Sequence, residues 1–209
     1  MIHGKPKINQ NITLSMIRVL NTKSKDFKKK FNYYLNIRRK YSNNKINVVK
    51  KIVSDVKKNK DKSIIKYEKK FNNLKNLKVN KLSFSRNEIE NNIKILDKKV
   101  KNSIDIAFSR IFNFHKNQKF KGFKIKDRYN NSFAYRSKPI SKVGVYVPGG
   151  KASYPSSVLM NCIPALIAGV KEIYMTVPCI NGQINPGVLY AAKKCKVKKI
   201  FKLGGAQAV

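Results

Sequence analysis

The last third of this 209-residue chain alternates between short apolar segments and helical segments, and this alternation constrains the fold more than any other feature. The apolar, β-branched run at 143–147 predicts a buried strand, and the segments at 172–177 and 198–203 predict a second and a third strand. The two segments between them open at Pro155 and Pro186, and proline suits the first turn of a helix. Strands that alternate with helices favour right-handed crossovers between parallel neighbours. The sequence therefore predicts an α/β unit, β-α-β-α-β, around a parallel sheet.

Glycine pairs follow the first and third predicted strands. Gly149 and Gly150 come directly after Pro148, and Gly204 with Gly205 ends the third strand. Both pairs are expected at the carboxyl edge of the sheet, where helix N-termini and free backbone N–H groups hold ligands. The sequence contains neither the G-x-G-x-x-G dinucleotide fingerprint nor a G-x-x-x-x-G-K-[ST] phosphate loop. These residues alone leave two interpretations open: a nucleotide-like ligand, or a purely structural pair of turns.

The chain before this unit has a different composition. Residues 1–145 hold only three of the ten glycines and two of the seven prolines, which places a domain boundary near Gly144. Ser85 and Glu88 have the spacing of a capping box, which opens a helix. Apolar spacing predicts further elements: helices over 26–41, around 48–56, around 64–71, after Ser85 and around 100–112, and a β-hairpin over 123–135. We therefore expect a mostly helical segment over 16–143, the α/β segment over 144–209, and a disordered extension over 1–15.

The charge is strongly basic, with 47 Lys and Arg residues against 10 acidic ones and a formal net charge of +37. This balance is typical of proteins that bind nucleic acids or anionic membranes. However, only 7 of the 47 are Arg, the residue whose planar fork reads bases and phosphates best. A genome rich in A and T would also enrich Lys, Asn, Ile, Phe and Tyr in any protein. Codon bias and a selected basic surface are both open, and we expect no nucleic-acid partner.

Metal ligands and reactive thiols are scarce. The three cysteines, Cys162, Cys179 and Cys195, never form a C-x-x-C pair, so we expect buried, inert thiols in a reducing, cytoplasmic compartment. The only histidines are His3 and His115, and His115 is expected at a helix end rather than in a metal site. No apolar run reaches the roughly 18 residues of a membrane-spanning helix, so we expect no membrane partner.

Three segments together carry a resemblance to a known family. Residues 144–152 read GVYVPGGKA, residues 154–161 read YPSSVLMN, and residues 203–208 read LGGAQA. In this order and spacing they closely resemble the signature region of the histidinol dehydrogenases. Weaker similarity reaches upstream to YEKKF at 67–71, so that the resemblance covers about 16–209.

The resemblance implies an oxidoreductase of histidine biosynthesis that uses NAD and requires zinc. Members of the family oxidise L-histidinol to L-histidine through L-histidinal, with two NAD reduced. They are homodimers with incomplete Rossmann-like nucleotide folds, and their early helices belong to a discontinuous α/β domain. Carried over residue by residue, the resemblance assigns two NAD contacts to this chain, Tyr146 and Gln207.

Family members are about twice as long as this chain. The resemblance places the zinc ligands, the catalytic Glu-His pair and most substrate contacts beyond Val209, so it assigns no catalytic and no metal-binding residue here. We therefore expect an N-terminal part of a histidinol dehydrogenase whose Rossmann-like unit is incomplete at its C-terminus and which is inactive alone. Two alternatives remain: a non-catalytic, basic nucleic-acid-binding remnant, and another NAD enzyme similar to aldehyde dehydrogenases.

Overall fold

The computed structural model of the chain describes residues 19–74, 77–149 and 154–209. The chain divides into two compact units, Met1–Lys50 and Lys51–Val209. The expected disordered extension over 1–15 lies outside the described residues. The candidate site and the whole sheet belong to the second unit.

A single long helix replaces two predicted ones. Helix α1 runs over Phe27–Asn59, beginning in the first unit and ending in the second. The prediction of separate helices over 26–41 and around 48–56 is wrong. The intervening residues contain Ser, Asn and Lys but neither Pro nor Gly, and such polar residues weaken a helix by only tenths of a kcal/mol each.

The helices of the second unit follow the predicted pattern. They are α2 at Asp61–Asn72, α3 at Arg86–Lys94, α4 at Lys98–Lys116, α5 at Pro155–Ala168 and α6 at Pro186–Lys194. Short 3-10 turns lie at Val79–Lys81 and Ile180–Gly182. The predicted capping box is confirmed, because the Glu88 N–H donates to Ser85 Oγ at 3.2 Å and Glu88 Oε2 accepts from the Ser85 N–H at 2.7 Å. This reciprocal pair satisfies two free donors at the start of α3.

The strands form two separate sheets. The predicted hairpin is confirmed as antiparallel strands β1 (Phe123–Lys126) and β2 (Ser132–Tyr135). The parallel sheet has the order β3-β4-β5, with strands at Lys142–Tyr146, Glu172–Thr176 and Lys199–Phe201. Its register pairs Val145 with Met175 and Met175 with Ile200. The β-α-β-α-β expectation is therefore confirmed, and the three carboxyl ends lie side by side.

One hydrophobic core of the second unit contains the parallel sheet and helices from both before and after residue 144. Leu159 on α5, Met175 on β4 and Leu189 on α6 are fully buried in it. Ile93 on α3 and Ile104 on α4 belong to the same cluster. The core therefore extends across residue 144, and the domain boundary placed there stays a prediction.

Candidate functional site

The three parallel strands end around one proline. Pro178 follows β4 and lies between the turns after β3 and β5. A Cβ added to Gly149 would lie 2.7 Å from the Pro178 carbonyl oxygen, and one added to Gly204 would lie 2.5 Å from the Pro178 ring. Real Cβ atoms do not approach other atoms so closely, so both positions need glycine for packing. The structural interpretation therefore accounts for Gly149 and Gly204.

Gly205 has a different environment. It is exposed, and its φ of +63° lies in the left-handed region that favours glycine. Its N–H donates a hydrogen bond to the Tyr146 hydroxyl at 3.1 Å. A Cβ added at 205 would lie 2.8 Å from Gln207 Oε1. The two residues that the resemblance assigns to NAD therefore meet on either side of one glycine.

Tyr146 is the last residue of β3, and its side chain is partly open to solvent, with 39% of the residue exposed. Its hydroxyl oxygen accepts from the Gly205 N–H, which leaves the hydroxyl hydrogen available as a donor. Within the described part of the chain, no acceptor takes that hydrogen. An aromatic ring with a free hydroxyl hydrogen at a sheet edge can pack on a flat ligand and donate one hydrogen bond to it.

Gln207 is buried, with only 5% of the residue exposed. Its Nε2 donates to Glu68 Oε1 at 2.9 Å. Its Oε1 is the one fully buried side-chain oxygen or nitrogen without a hydrogen-bond partner among the residues the structure describes. A buried acceptor without a donor costs free energy, so a donor brought to this atom would stabilise the site.

Glu68 is a functional candidate that the sequence analysis missed. It lies on α2, is fully buried, and also accepts from the Gly204 N–H at 3.0 Å and from Asn72 Nδ2 at 2.5 Å. The carboxylate thereby ties the turn after β5 to the helical segment. One signal was available in the sequence, because Glu68 stands four residues after Ile64, on the predicted apolar face of this helix.

The thiols and the histidine of the described region make no hydrogen bond to Tyr146, Gly205 or Gln207. Cys162, Cys179 and Cys195 are buried and free, as expected, and burial raises the pKa of the Cys179 thiol to about 12. His115 lies in the last turn of α4, also as expected, with its Nδ1 2.6 Å from Gln118 Oε1. Over 19–74, 77–149 and 154–209, no three His, Cys, Asp or Glu side chains come together as a metal site. None of the helices in these ranges is long and apolar enough to cross a membrane.

Comparison with known proteins identifies the family. The family model described as histidinol dehydrogenase matches residues 36–209. The chain belongs to the histidinol dehydrogenase family. The resemblance found in the signature segments is thereby confirmed.

Two bacterial histidinol dehydrogenases illustrate the extent of the match. The protein from Pelagibacter ubique (strain HTCC1062) is 48% identical over 195 residues, which cover 93% of this chain and 44% of that relative. The protein from Acinetobacter baylyi (strain ATCC 33305 / BD413 / ADP1) is 37% identical over 194 residues, which cover 93% of this chain and 45% of the relative. This chain therefore spans less than half the length of these histidinol dehydrogenases, which agrees with the expectation that it corresponds to part of such an enzyme.

A solved histidinol dehydrogenase has the same fold in the matched region. The crystal structure of histidinol dehydrogenase from Elizabethkingia anophelis superposes with a TM-score of 0.72 at 36% sequence identity. The match covers 78% of this chain and 37% of that structure. The predicted α/β architecture is thereby confirmed for this member of the histidinol dehydrogenase family.

Proposed function

We propose that this chain forms the N-terminal, NAD-binding part of an NAD-dependent, zinc-requiring histidinol dehydrogenase of histidine biosynthesis. The proposed reaction is the four-electron oxidation of L-histidinol to L-histidine through L-histidinal. Each of two NAD molecules accepts one hydride in this chemistry. The proposal includes the family's homodimer and a cytoplasmic location, and the three free, buried thiols are consistent with a reducing compartment.

One observation carries the NAD part of the proposal. Tyr146 and Gln207, assigned separately by the resemblance, converge on Gly205 at the carboxyl edge of the parallel sheet. Open α/β sheets hold ligands at this edge. Among the described residues, the Tyr146 hydroxyl hydrogen has no acceptor and Gln207 Oε1 has no donor. They supply one donor and one acceptor, which fits a dinucleotide with hydroxyl, amide and phosphate groups.

The described residues do not fit a zinc site. Zinc needs about four convergent nitrogen, oxygen or sulfur ligands, and no such group forms in the described ranges. The zinc requirement and the acid-base chemistry therefore rest on the family alone. Accordingly, we propose that the 209-residue chain by itself does not oxidise histidinol.

Calorimetric titration of the purified chain with NAD tests the proposed NAD site. We expect saturable binding, and Tyr146→Phe is expected to weaken it about five- to tenfold, since it removes one hydrogen bond to the ligand. Tyr135→Phe is the matched control, because Tyr135 is exposed on hairpin strand β2, outside the parallel sheet. The NAD affinity of this control variant should equal that of the parent chain.

Two results would contradict the proposal. Absence of NAD binding to the parent chain would remove the NAD site, and tight binding of nucleic acid with a steep salt dependence would instead support the basic remnant. Absorbance of NADH after addition of zinc, NAD and histidinol tests inactivity, and turnover above background would overturn that part alone.

A further inference from the structure

Among the residues that the structure describes, the Glu68 carboxylate contacts hydrogen-bond donors and no other acceptor. Its Oε1 accepts from the Gly204 N–H at 3.0 Å and from Gln207 Nε2 at 2.9 Å, and its Oε2 accepts from Asn72 Nδ2 at 2.5 Å. An ionised carboxylate has only acceptors, so three donors match it without conflict. The glutamate is fully buried, and this arrangement is what makes its burial tolerable.

This carboxylate selects one of the two orientations of the Gln207 amide. If the amide were turned over, its oxygen would stand about where Nε2 now stands, 2.9 Å from Glu68 Oε1, and two acceptors would face each other. The side chain therefore keeps Nε2 toward Glu68 and Oε1 on the opposite side. There Oε1 lies beneath Gly205, an exposed residue without a side chain, and has no partner among the described residues.

We infer that Glu68 is a positioning residue, which engages Nε2 of the Gln207 amide so that Oε1 is left as the acceptor for a hydrogen-bond donor of the bound dinucleotide. This inference rests on the proposed function and adds that Gln207 accepts, and the dinucleotide donates, the hydrogen bond between them. The partner of Oε1 is a hydroxyl or an amino group of NAD, from a ribose, the carboxamide or the adenine. The pyrophosphate oxygens are acceptors and are excluded from this contact.

Nuclear magnetic resonance of the chain without cofactor tests the orientation. The chain has four glutamines, and the Gln207 side-chain amide signals are assigned from their loss in Gln207→Met. We expect one strongly shifted, slowly exchanging Nε2 hydrogen, which Glu68→Met abolishes and Glu68→Gln retains. In Glu68→Gln the new amide oxygen still accepts from Gly204 and Gln207, and Asn72 can turn its own amide. Two rapidly exchanging hydrogens in the parent chain would overturn the assigned orientation.

A double-mutant cycle on NAD affinity tests whether Glu68 acts through Gln207. Glu68→Met and Gln207→Met should each weaken binding about tenfold, as expected for one lost hydrogen bond. The double variant should also lose about tenfold, because both changes remove the same contact. Glu68→Gln should stay within about twofold of the parent, as should Gln183→Met, a change of an exposed glutamine elsewhere. Additive losses, about a hundredfold in the double variant, would overturn the positioning role.

NAD analogues that each lack one donor identify the partner of Oε1. Deoxyribose, hypoxanthine and acetylpyridine analogues remove a hydroxyl, the adenine amino group and the carboxamide amino group in turn. One of these analogues should bind the parent chain about tenfold more weakly than NAD does. The same analogue should bind the Gln207→Met variant as tightly as NAD binds that variant. If NAD binds but no analogue shows this pattern, the inference fails and the proposed function stands. If the parent chain binds no NAD, the proposed function fails, and the magnetic resonance experiment still decides the amide orientation.

Discussion

The parallel sheet and the β1–β2 hairpin lie in the same unit, but they bury very different amounts of apolar surface. Met175 and Ile200 in the parallel sheet are 0% and 3% exposed. In the hairpin all eight strand residues are exposed, and Phe123 and Tyr135 are each more than half open to solvent. The parallel sheet therefore depends on the helices that cover it, whereas the hairpin depends on cross-strand ring contacts and its own turn.

The same contrast holds for the polar groups. At the carboxyl edge of the parallel sheet, a buried carboxylate joins residues from α2 and from the turn after β5. In the hairpin, Asp127 accepts from the N–H groups of Tyr129 and Asn131, within four residues of itself. The contacts from Glu68 to the turn after β5 span more than a hundred residues, whereas the hairpin contacts are local. A change in the first region should therefore affect the whole unit, and a change in the second should remain local.

The largest effect is expected from a cavity in the core that covers the parallel sheet. Leu159→Ala should lower the free energy of unfolding by about 2–5 kcal/mol, because Leu159 is 1% exposed and its removal leaves a void. Urea unfolding followed by circular dichroism measures it. The neighbouring Met160→Ala is the control, since Met160 is 54% exposed and should cost well under 1 kcal/mol. Equal losses of unfolding free energy in the two variants would contradict the expectation that the buried core residue contributes far more to stability than its exposed neighbour.

A smaller effect is expected at the glycine that packs on Pro178. Gly204→Ala should cost about 1–3 kcal/mol of unfolding free energy, because its Cβ would lie 2.5 Å from the proline ring. Gly144→Ala is the matched control within the same sheet, as a Cβ there has no neighbour within 4 Å. Thermal unfolding should show a lower midpoint for the first variant and an unchanged or slightly higher one for the second. A neutral Gly204→Ala would show that the strand ends are not closely packed.

Removing an aromatic ring from the hairpin should have a much smaller effect on global stability. Phe133 is 54% exposed, so Phe133→Ser should change the unfolding free energy by no more than about 0.5 kcal/mol. The same urea experiment measures it beside Leu159→Ala. A loss above 2 kcal/mol would mean that the hairpin contributes to the core of the unit.

The smallest effect is a local pH dependence in the hairpin turn. The hydrogen bond from the Asn131 side chain holds the pKa of Asp127 below its usual range. A carboxyl group with a lowered pKa stabilises the turn above its unfolded pKa of about 3.9, and the contribution is lost as the pH falls through the folded value. The Tyr129 and Asn131 amide signals should therefore shift together on acidification, with a midpoint below about 3.9. In Asp127→Asn this titration should be absent, and a midpoint at or above the unfolded pKa of about 3.9 would contradict the assignment.

Local sequence patterns account for most of the elements and for their order. The β-α-β-α-β unit, the Ser85–Glu88 capping box and the hairpin all follow from patterns within about ten to thirty residues, where backbone geometry and side-chain period act directly. The sequence pattern predicted helix at both ends of α1 but not that the helix is continuous. The polar residues around 42–45 interrupt the apolar period but do not end the helix. Tyr146 and Gln207 came from a family resemblance, and their roles stay proposals.

The surroundings of Tyr146 and Gln207 depend on how distant segments of the chain pack together. The contacts from Glu68 to Gly204 and Gln207 join positions 136 and 139 residues apart, and local periodicity holds no information at that distance. The burial of Glu68, and the position of Gln207 Oε1 without a partner among the described residues, follow from how α2 packs beside the strand ends. A charged residue on a predicted apolar face indicates that its carboxylate needs hydrogen-bond donors, but only the packing of distant segments determines which donors these are.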